Sequence, residues 1–172
     1  MREVIRFAWG KSSLGDFIVA MSDNGLVATE FSSNHAATED ALRARFPAAE
    51  IIDGQEELAA ILEKAKRAIE EPGFGRAIPV DLRGTPYEVE VWSMLRALPA
   101  GETTNYGSLA ARLGTRDARG VTEAIACNPI AVLVPCHRVI KKDGSISGYR
   151  WGVKRKRELL AREQRSGAGR PV

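Results

Sequence analysis

Residues 85–114 read TPYEVEVWSMLRALPAGETTNYGSLAARLG and predict two short helices, each with its own start and stop signal. Thr85 is followed by a proline and, three positions after the threonine, by Glu88, which is the pattern of a capping box. Apolar residues then recur at helical spacing until the sequence Pro-Ala-Gly ends the helix. The second helix is predicted over 106–113, because Gly114 can adopt the left-handed conformation that ends a helix.

The segments that follow are predicted to be mostly helical as well. A third helix is expected over 117–126, and its short connection to the second helix makes the pair a candidate helix-turn-helix. An apolar run occupies 130–134, and a basic helix is expected over 153–163. Residues 80–165 are therefore predicted to form one mostly α-helical domain, followed by a frayed tail at 166–172.

The N-terminal part of the chain has a different pattern. Three apolar runs within residues 4–32 are separated by the turn clusters GKSSLG and SDNG, which is typical of a small antiparallel sheet. Helices are predicted over 36–46 and 55–71, and prolines and glycines at 72–79 then interrupt the chain. We therefore predict an α/β domain over residues 1–79.

The composition restricts the class of protein. The 172 residues are 44% hydrophobic and 27% charged, the balance of a globular protein in water. No stretch approaches the ~20 apolar residues of a membrane-spanning helix, and the N-terminus has no signal-peptide core. Two cysteines and two histidines exclude a disulfide framework, and a zinc site of such ligands would need all four. We expect a reduced, cytoplasmic protein without membrane association, metal or cofactor.

The charge is distributed unevenly along the chain. Residues 1–79 carry nine Lys and Arg against thirteen Asp and Glu, whereas residues 80–172 carry sixteen against nine. The most basic stretch includes Lys154, Arg155, Lys156 and Arg157. Such a stretch is either the solvated face of a helix or part of a surface for an anionic partner, and charge alone leaves both readings open.

Cys136 lies between an apolar run that ends in proline and the pair His137-Arg138. A single cysteine in an apolar segment is often an inert core residue. The neighbouring His137 and Arg138 argue against that reading, because neither is a comfortable core residue and a nearby base or positive charge favours the reactive thiolate. Adjacent side chains usually diverge, so a water molecule between Cys136 and His137 is easier to build than a direct contact.

The sequence PCHRV at 135–139 resembles the active-site signature of the 6-O-alkylguanine-DNA alkyltransferases, a family of DNA repair proteins. The segments 82–110, 118–140 and 143–163 resemble further family motifs, in the family's order. Residues 1–79 resemble the family's small ribonuclease H-like α/β domain more loosely. The sequence GYRWG and the basic last helix are most similar to bacterial members, particularly the alkyltransferase part of Ada. The chain is either a whole protein or the last part of a longer regulator of that type.

The resemblance implies irreversible transfer of an alkyl group to Cys136 from 6-O-alkylguanine, and from 4-O-alkylthymine, in double-stranded DNA. His137 would accept the thiol proton through water and Glu163 would orient that histidine. Asn128 would order the turn before the active-site strand. Without the resemblance, Glu163 passes for a solvent-facing residue and Asn128 for part of an ordinary turn.

The resemblance also assigns residues to the DNA and to the damaged base. Tyr106 would promote rotation of the nucleotide out of the stack, and Arg119 would fill the space left in the duplex. The base pocket is implied to include Val139, Ser147, Tyr149 and Trp151. We expect the Trp151 indole to narrow this pocket, so that methyl groups are favoured over larger alkyl groups.

Two residues depart from the family pattern. Gly120 directly follows Arg119, at a position where family members usually have alanine. The glycine weakens the start of the helix predicted over 117–126. Glu123 stands at a position that is usually small and uncharged, and it would lower DNA affinity if it faced phosphates.

Two other functions fit the sequence less well. A cysteine hydrolase would need a separate histidine, and His35 is the only one besides His137. A DNA-binding module without chemistry would not need Cys136. We expect the protein to act on DNA as a monomer.

Overall fold

The computed structural model describes residues 2–166, and the N-terminal part forms a four-stranded sheet. The strands are β1 (Glu3–Ser12), β2 (Gly15–Ser22), β3 (Gly25–Phe31) and β4 (Ala49–Asp53), and their order in the sheet is β3-β2-β1-β4. The first three strands are antiparallel neighbours, but β4 pairs with β1 in parallel, with Ile5 opposite Ile51. The three runs within residues 4–32 therefore form antiparallel strands as expected, but the expectation that the whole sheet is antiparallel is wrong. The sheet is mixed, because the chain passes through a helix after β3 and returns beside β1 in the same direction.

Six helices accompany the sheet in the described part of the chain. They are α1 (His35–Arg45), α2 (Ala59–Glu70), α3 (Pro86–Arg96), α4 (Tyr106–Arg112), α5 (Ala118–Ala126) and α6 (Val153–Ser166). Two short strands, β5 (Thr104–Asn105) and β6 (Val139–Ile140), pair in parallel. No helix of residues 2–166 is long and apolar enough to cross a membrane.

The start of α3 and the end of α4 agree with the predicted signals, whereas α2 begins four residues later than the predicted residue 55. The Thr85 side chain accepts a hydrogen bond from the backbone N–H of Glu88, and the Glu88 carboxylate accepts one from the N–H of Thr85, so the capping box is confirmed. Gly114, after α4, has a φ of 73°. The side chain of Asp117 caps α5 by accepting the N–H of Gly120 at 3.0 Å. These caps satisfy backbone N–H groups that the helices cannot satisfy themselves.

Helices α3, α4 and α5 pack together. α5 contacts both other helices, and the indole N–H of Trp92 in α3 donates to the carbonyl of Ala124 in α5 at 2.9 Å. α4 and α5 are joined by residues 113–117. This arrangement holds α5 with one face packed on the core and the other exposed.

The outer edge of β3 is covered by the C-terminal half of the chain. The N–H of Leu26 donates to the Pro79 carbonyl, and Asp81 donates back to Leu26. Further along, Thr29 exchanges backbone hydrogen bonds with Pro129 and Ala131. This pairing covers the outer edge of β3 at Leu26 and Thr29.

One hydrophobic core joins the two halves of the chain. Its buried members include Phe17 and Val19 from the sheet and Leu95 and Val134 from the C-terminal half. A second, smaller cluster lies between the sheet and α1. The division at residue 79 and the ribonuclease H-like assignment of residues 1–79 stay predictions. Apart from Ser166, which ends α6, the predicted tail lies outside the described residues.

Candidate active site

The buried side-chain amide of Asn128 determines the conformation of the residues that precede Cys136. The Asn128 side chain accepts the backbone N–H of Ile130 at 3.0 Å and donates to the Val134 carbonyl at 2.9 Å and to the Ile130 carbonyl at 3.3 Å. These bonds fold residues 130–134 into a turn, in which Val132 has a φ of 68°. The active-site strand implied by the resemblance is therefore absent here, because only Ile130 bridges to the sheet, at Thr29.

Cys136 begins a 3-10 turn and its side chain forms part of the wall of a cavity of about 460 Å³. The residue is only 4% exposed, and burial raises the pKa of the thiol to about 11. The Asn128 side chain and the positive charges of Lys156 and Arg150 lower that pKa without offsetting the burial. At neutral pH the thiol is therefore protonated at rest, and a reaction at sulfur needs a group that takes the proton.

His137 and Glu163 form a buried pair beside the cysteine. His137 Nε2 lies 2.6 Å from Glu163 Oε2, and Arg138 Nε donates to the same carboxylate at 3.0 Å. Glu163 also accepts the backbone N–H of Gly101 at 3.1 Å. Burial by itself would raise the pKa of Glu163, but the hydrogen bonds and charges of His137 and Arg138 outweigh it and lower that pKa to about 2. The carboxylate is therefore ionised at neutral pH.

The imidazole of His137 is neutral at neutral pH. Burial lowers its pKa from the ordinary value of 6.5, although Glu163 acts in the opposite direction. Nδ1 of His137 is buried and has no hydrogen-bond partner among the residues that the structure describes. With Nε2 held by Glu163, Nδ1 is the nitrogen that can take a proton.

A buried lysine contacts two residues that line the cavity, Ser147 and Gly148. Lys156 is 1% exposed and donates to the carbonyls of Val139 at 2.6 Å and Gly148 at 3.3 Å and to the Ser147 hydroxyl at 3.2 Å. The Ser147 hydroxyl lies 2.6 Å from the Tyr106 hydroxyl, so these bonds connect α4, residues 141–152 and α6. We call residues 141–152 the pocket loop. Burial lowers the pKa of Lys156, and the nearby Cys136 acts in the opposite direction.

Comparison with known proteins finds one family throughout. Residues 86–165 match the family model described as 6-O-methylguanine DNA methyltransferase, DNA binding domain. The structure of Mycobacterium tuberculosis OGT in complex with DNA superimposes with a TM-score of 0.77 at 30% identity, covering 93% of each chain. The chain belongs to the 6-O-alkylguanine-DNA alkyltransferase family.

The curated relatives match this chain over about half of their own length. The bifunctional transcriptional activator/DNA repair enzyme Ada of Escherichia coli is 37% identical over 160 residues, which are 92% of this chain and 45% of Ada. The methylated-DNA--protein-cysteine methyltransferase of Salmonella typhimurium is 52% identical over 81 residues, 46% of this chain and 47% of that protein. The matched region thus spans about half the length of these relatives.

The predicted pocket residues of the alkyltransferase fall into two groups. Tyr106, Ser147 and Tyr149 line the cavity together with Cys136. Val139 and Trp151 are buried, but neither is among the residues that line it. The Trp151 ring makes an edge contact with Tyr149, with ring centroids 5.3 Å apart. The indole thus contacts a residue that lines the cavity without lining it, and the expectation that Trp151 narrows the pocket stays a prediction.

The structure gives a separate explanation for each of the two residues on α5 that depart from the family pattern, Gly120 and Glu123. A Cβ on Gly120 would lie 2.6 Å from Oδ2 of Asp117, so the glycine leaves room for the capping carboxylate. Arg119 and Glu123 form an ion pair at 3.4 Å, with side chains that are 89% and 69% exposed. The acidic residue therefore pairs with the arginine assigned to the duplex.

Sequence reasoning missed two basic residues of the site. Lys156 was grouped with a basic surface, but it lies three and seven positions before Leu159 and Glu163, which are on the buried face of α6. That spacing was the available signal. Arg150, which lines the cavity, lies in the sequence GYRWG between the predicted pocket residues Tyr149 and Trp151, and that position was its available signal.

Proposed function

We propose that the protein repairs alkylated DNA by direct reversal. It transfers the alkyl group of 6-O-alkylguanine, and of 4-O-alkylthymine, from double-stranded DNA to Cys136 in a single, irreversible reaction. The observation that carries the proposal is the position of Cys136 in the wall of a cavity, next to the buried His137–Glu163 pair. Membership of the alkyltransferase family supports the same chemistry.

The transfer is a displacement at the alkyl carbon. The Cys136 sulfur attacks that carbon, a carbon–sulfur bond forms, and the bond between the carbon and guanine O6 breaks. The electron pair of the broken bond stays with guanine, which becomes an anion and takes up a proton. The product on the protein is a thioether. Because a thioether has no low-energy route back to the thiol, each molecule reacts once.

The proton of the thiol has a route to His137. A water molecule that contacts both Cys136 and the free Nδ1 of His137 would carry it, since Nδ1 is buried without another partner among the described residues. Glu163 stabilises the imidazolium that forms, because its carboxylate is already charged and bonded to Nε2. The proton then returns through solvent to the guanine anion.

DNA is bound by the C-terminal half. α4 and α5 act as a helix-turn-helix within an alkyl-acceptor domain of residues 80–165, and the more basic half of the chain attracts the phosphates. A base inside the stack cannot reach Cys136, so the damaged nucleotide rotates out of the duplex into the cavity. Tyr106, at the first turn of α4, contacts the rotating nucleotide, and the exposed Arg119 enters the space it leaves.

Intact-mass spectrometry tests the proposal. After incubation with a duplex oligonucleotide that carries one 6-O-methylguanine, the protein is expected to gain one methyl group, located by peptide mapping on Cys136. Repair should stop at one methyl per chain. Turnover beyond that stoichiometry would contradict the proposal.

Two cysteine variants provide the controls. Cys136→Ser should gain no methyl group, whereas Cys127→Ser should react like the unmodified protein because Cys127 is an exposed residue at the end of α5. Methyl transfer to Cys127 would overturn the assignment of the acceptor.

A further inference from the structure

The pocket loop forms one wall of the cavity but has almost no regular structure of its own. Gly148, Tyr149 and Arg150 line the cavity, and no helix or strand occurs between Ile140 and Val153. Because no helix or sheet hydrogen bonds hold this wall in place, its position depends on side-chain contacts with other parts of the chain.

Arg150 supplies the contacts between this wall and α5. Its guanidinium donates to the carbonyl of Asn128 at 2.8 Å and to that of Cys127 at 3.4 Å. These carbonyls lie at the C-terminal end of α5, where backbone carbonyls lack partners within the helix and carry partial negative charge.

The same guanidinium reaches the N-terminal sheet. Arg150 also donates to Oε1 of Glu30 in β3 at 2.9 Å. The neighbouring Thr29 is fixed by its backbone bonds to Pro129 and Ala131, so Glu30 is held next to the end of α5. The Glu30 side chain is 20% exposed and that of Arg150 is 38% exposed. A partly buried pair of this kind is screened less than one in open solvent.

We propose that Glu30 and Arg150 form a strap by which the N-terminal sheet holds the pocket loop, and that Glu30 is a positioning residue for alkyl transfer. The inference rests on the proposed transfer to Cys136. Tyr149 precedes Arg150 directly and lines the cavity with Cys136, so a displaced Arg150 moves the surface against which the base lies. Transfer requires the alkyl carbon to be in line with the sulfur, and small errors in that geometry lower the rate steeply.

The substitution Glu30→Gln tests the strap. The rate of methyl transfer to Cys136 is expected to fall about 10-fold, because misplacement of a reacting group is costly. The fall should be equal for methylated duplex and for free 6-O-methylguanine, because both use the same cavity. In hydrogen exchange, the peptide that covers residues 143–152 should exchange faster.

Glu3→Gln is the matched control. Glu3 in β1 pairs with Arg83, which also joins the sheet to the C-terminal half, but neither residue lines the cavity. This variant should leave the transfer rate and the exchange of the pocket loop unchanged. In the background of Arg150→Gln, Glu30→Gln should have no further effect on the rate, since the strap is already broken.

Several results would overturn the strap. One is a Glu30→Gln variant whose methyl-transfer rate and hydrogen exchange in residues 143–152 are both unchanged. Another is a rate that falls on methylated duplex but not on free 6-O-methylguanine. A third is a Glu30→Gln substitution that lowers the rate as much in the Arg150→Gln variant as in the unmodified protein. If Glu30→Gln does not fold, Arg150→Lys tests the strap from the other side. Arg150 uses Nη1 for the two carbonyls and Nη2 for Glu30, whereas lysine carries its N–H groups on a single nitrogen and lacks this fork. Full activity of Arg150→Lys with unchanged exchange would also overturn it. If the unmodified protein does not react at all, the proposed function fails, while the exchange experiment still tests the strap.

Discussion

The pKa values of the Cys136 thiol and the His137 imidazole leave both groups uncharged at neutral pH. Burial raises the pKa of the thiol to about 11 and lowers that of the imidazole. The resting pair is therefore neutral, and in the proposed transfer a charge would appear on His137 only when the sulfur attacks. Glu163, with a pKa of about 2, is a permanent anion placed to stabilise that charge.

This arrangement predicts the pH dependence of methyl transfer. A neutral His137 is required, so the rate should be constant around neutral pH and should fall only below pH 6.5, the ordinary pKa of histidine, because burial lowers the pKa of His137. Glu163→Gln should lower the plateau by on the order of 10²-fold, since an assisted proton transfer contributes about that much. Single-turnover rates across pH measure both effects.

Glu158→Gln is the control for this prediction, because Glu158 is on the same helix and pairs with Arg162 and Arg165 rather than with His137. Its rate profile should match that of the unmodified protein. A rate that rises steadily with pH toward 11, and that Glu163→Gln leaves unchanged, would show that the thiol ionises without His137.

Glu123 provides a second prediction for single residues. It pairs with Arg119 on the exposed face of α5, where any bound DNA would add phosphates. Glu123→Gln should strengthen duplex binding about 3- to 5-fold, the range expected for one exposed charge pair, and should steepen the salt dependence. Binding measured at several salt concentrations tests this. The control is Glu56→Gln, at an exposed position in the N-terminal half, which should leave duplex affinity unchanged. Equal affinities for the Glu123→Gln and unmodified proteins would contradict the prediction.

At the scale of elements, the residue at position 120 affects the stability of α5 in two ways, through its helix propensity and through the space it leaves for the Asp117 cap. An alanine at position 120 would ordinarily stabilise a helix by up to about 1 kcal/mol relative to glycine. Here its Cβ would crowd the Asp117 carboxylate that caps the helix. Gly120→Ala is therefore expected to be neutral or destabilising, by up to about 1 kcal/mol if the cap is lost. Denaturant unfolding measures this, and a clear gain in stability would refute it.

The helices could be predicted from the sequence because their signals are local. The Thr85 capping box, Gly114 and Asp117 act within four residues of the helix ends that they define. Strand β4 could not be found in this way, because AEIID is short and its partner β1 lies more than forty residues earlier. The turn at 130–134 was missed for a similar reason, since buried hydrogen bonds from the Asn128 side chain override an apolar run typical of a strand.

The site shows the same division between local and distant information. The sequence around Cys136 and His137 was sufficient to propose an acceptor and a base by resemblance, and these roles stay predictions. Arg150, by contrast, lies 120 residues from Glu30, and only the folded chain brings the two together. No periodicity or motif encodes that contact.

At the scale of the whole molecule, the shared core predicts cooperative unfolding. Phe17 and Val19 pack in the same cluster as Leu95 and Val134, so neither half buries its apolar surface alone. We expect a single transition in urea, with the same midpoint by circular dichroism and by tryptophan fluorescence. A Trp9→Phe variant, which leaves the emitting residues in the C-terminal half, should report the same midpoint. Two separated transitions would contradict a shared core.

The bond between the Trp92 indole and the Ala124 carbonyl has a practical consequence. The protein has three tryptophans, so a nitrogen-15 labelled sample should give three indole resonances. The Trp92 indole proton lies against the last turn of α5, and its chemical shift depends on the length of that one bond. A small movement of α5 on a DNA duplex would therefore be visible as the displacement of a single resonance, without any attached label.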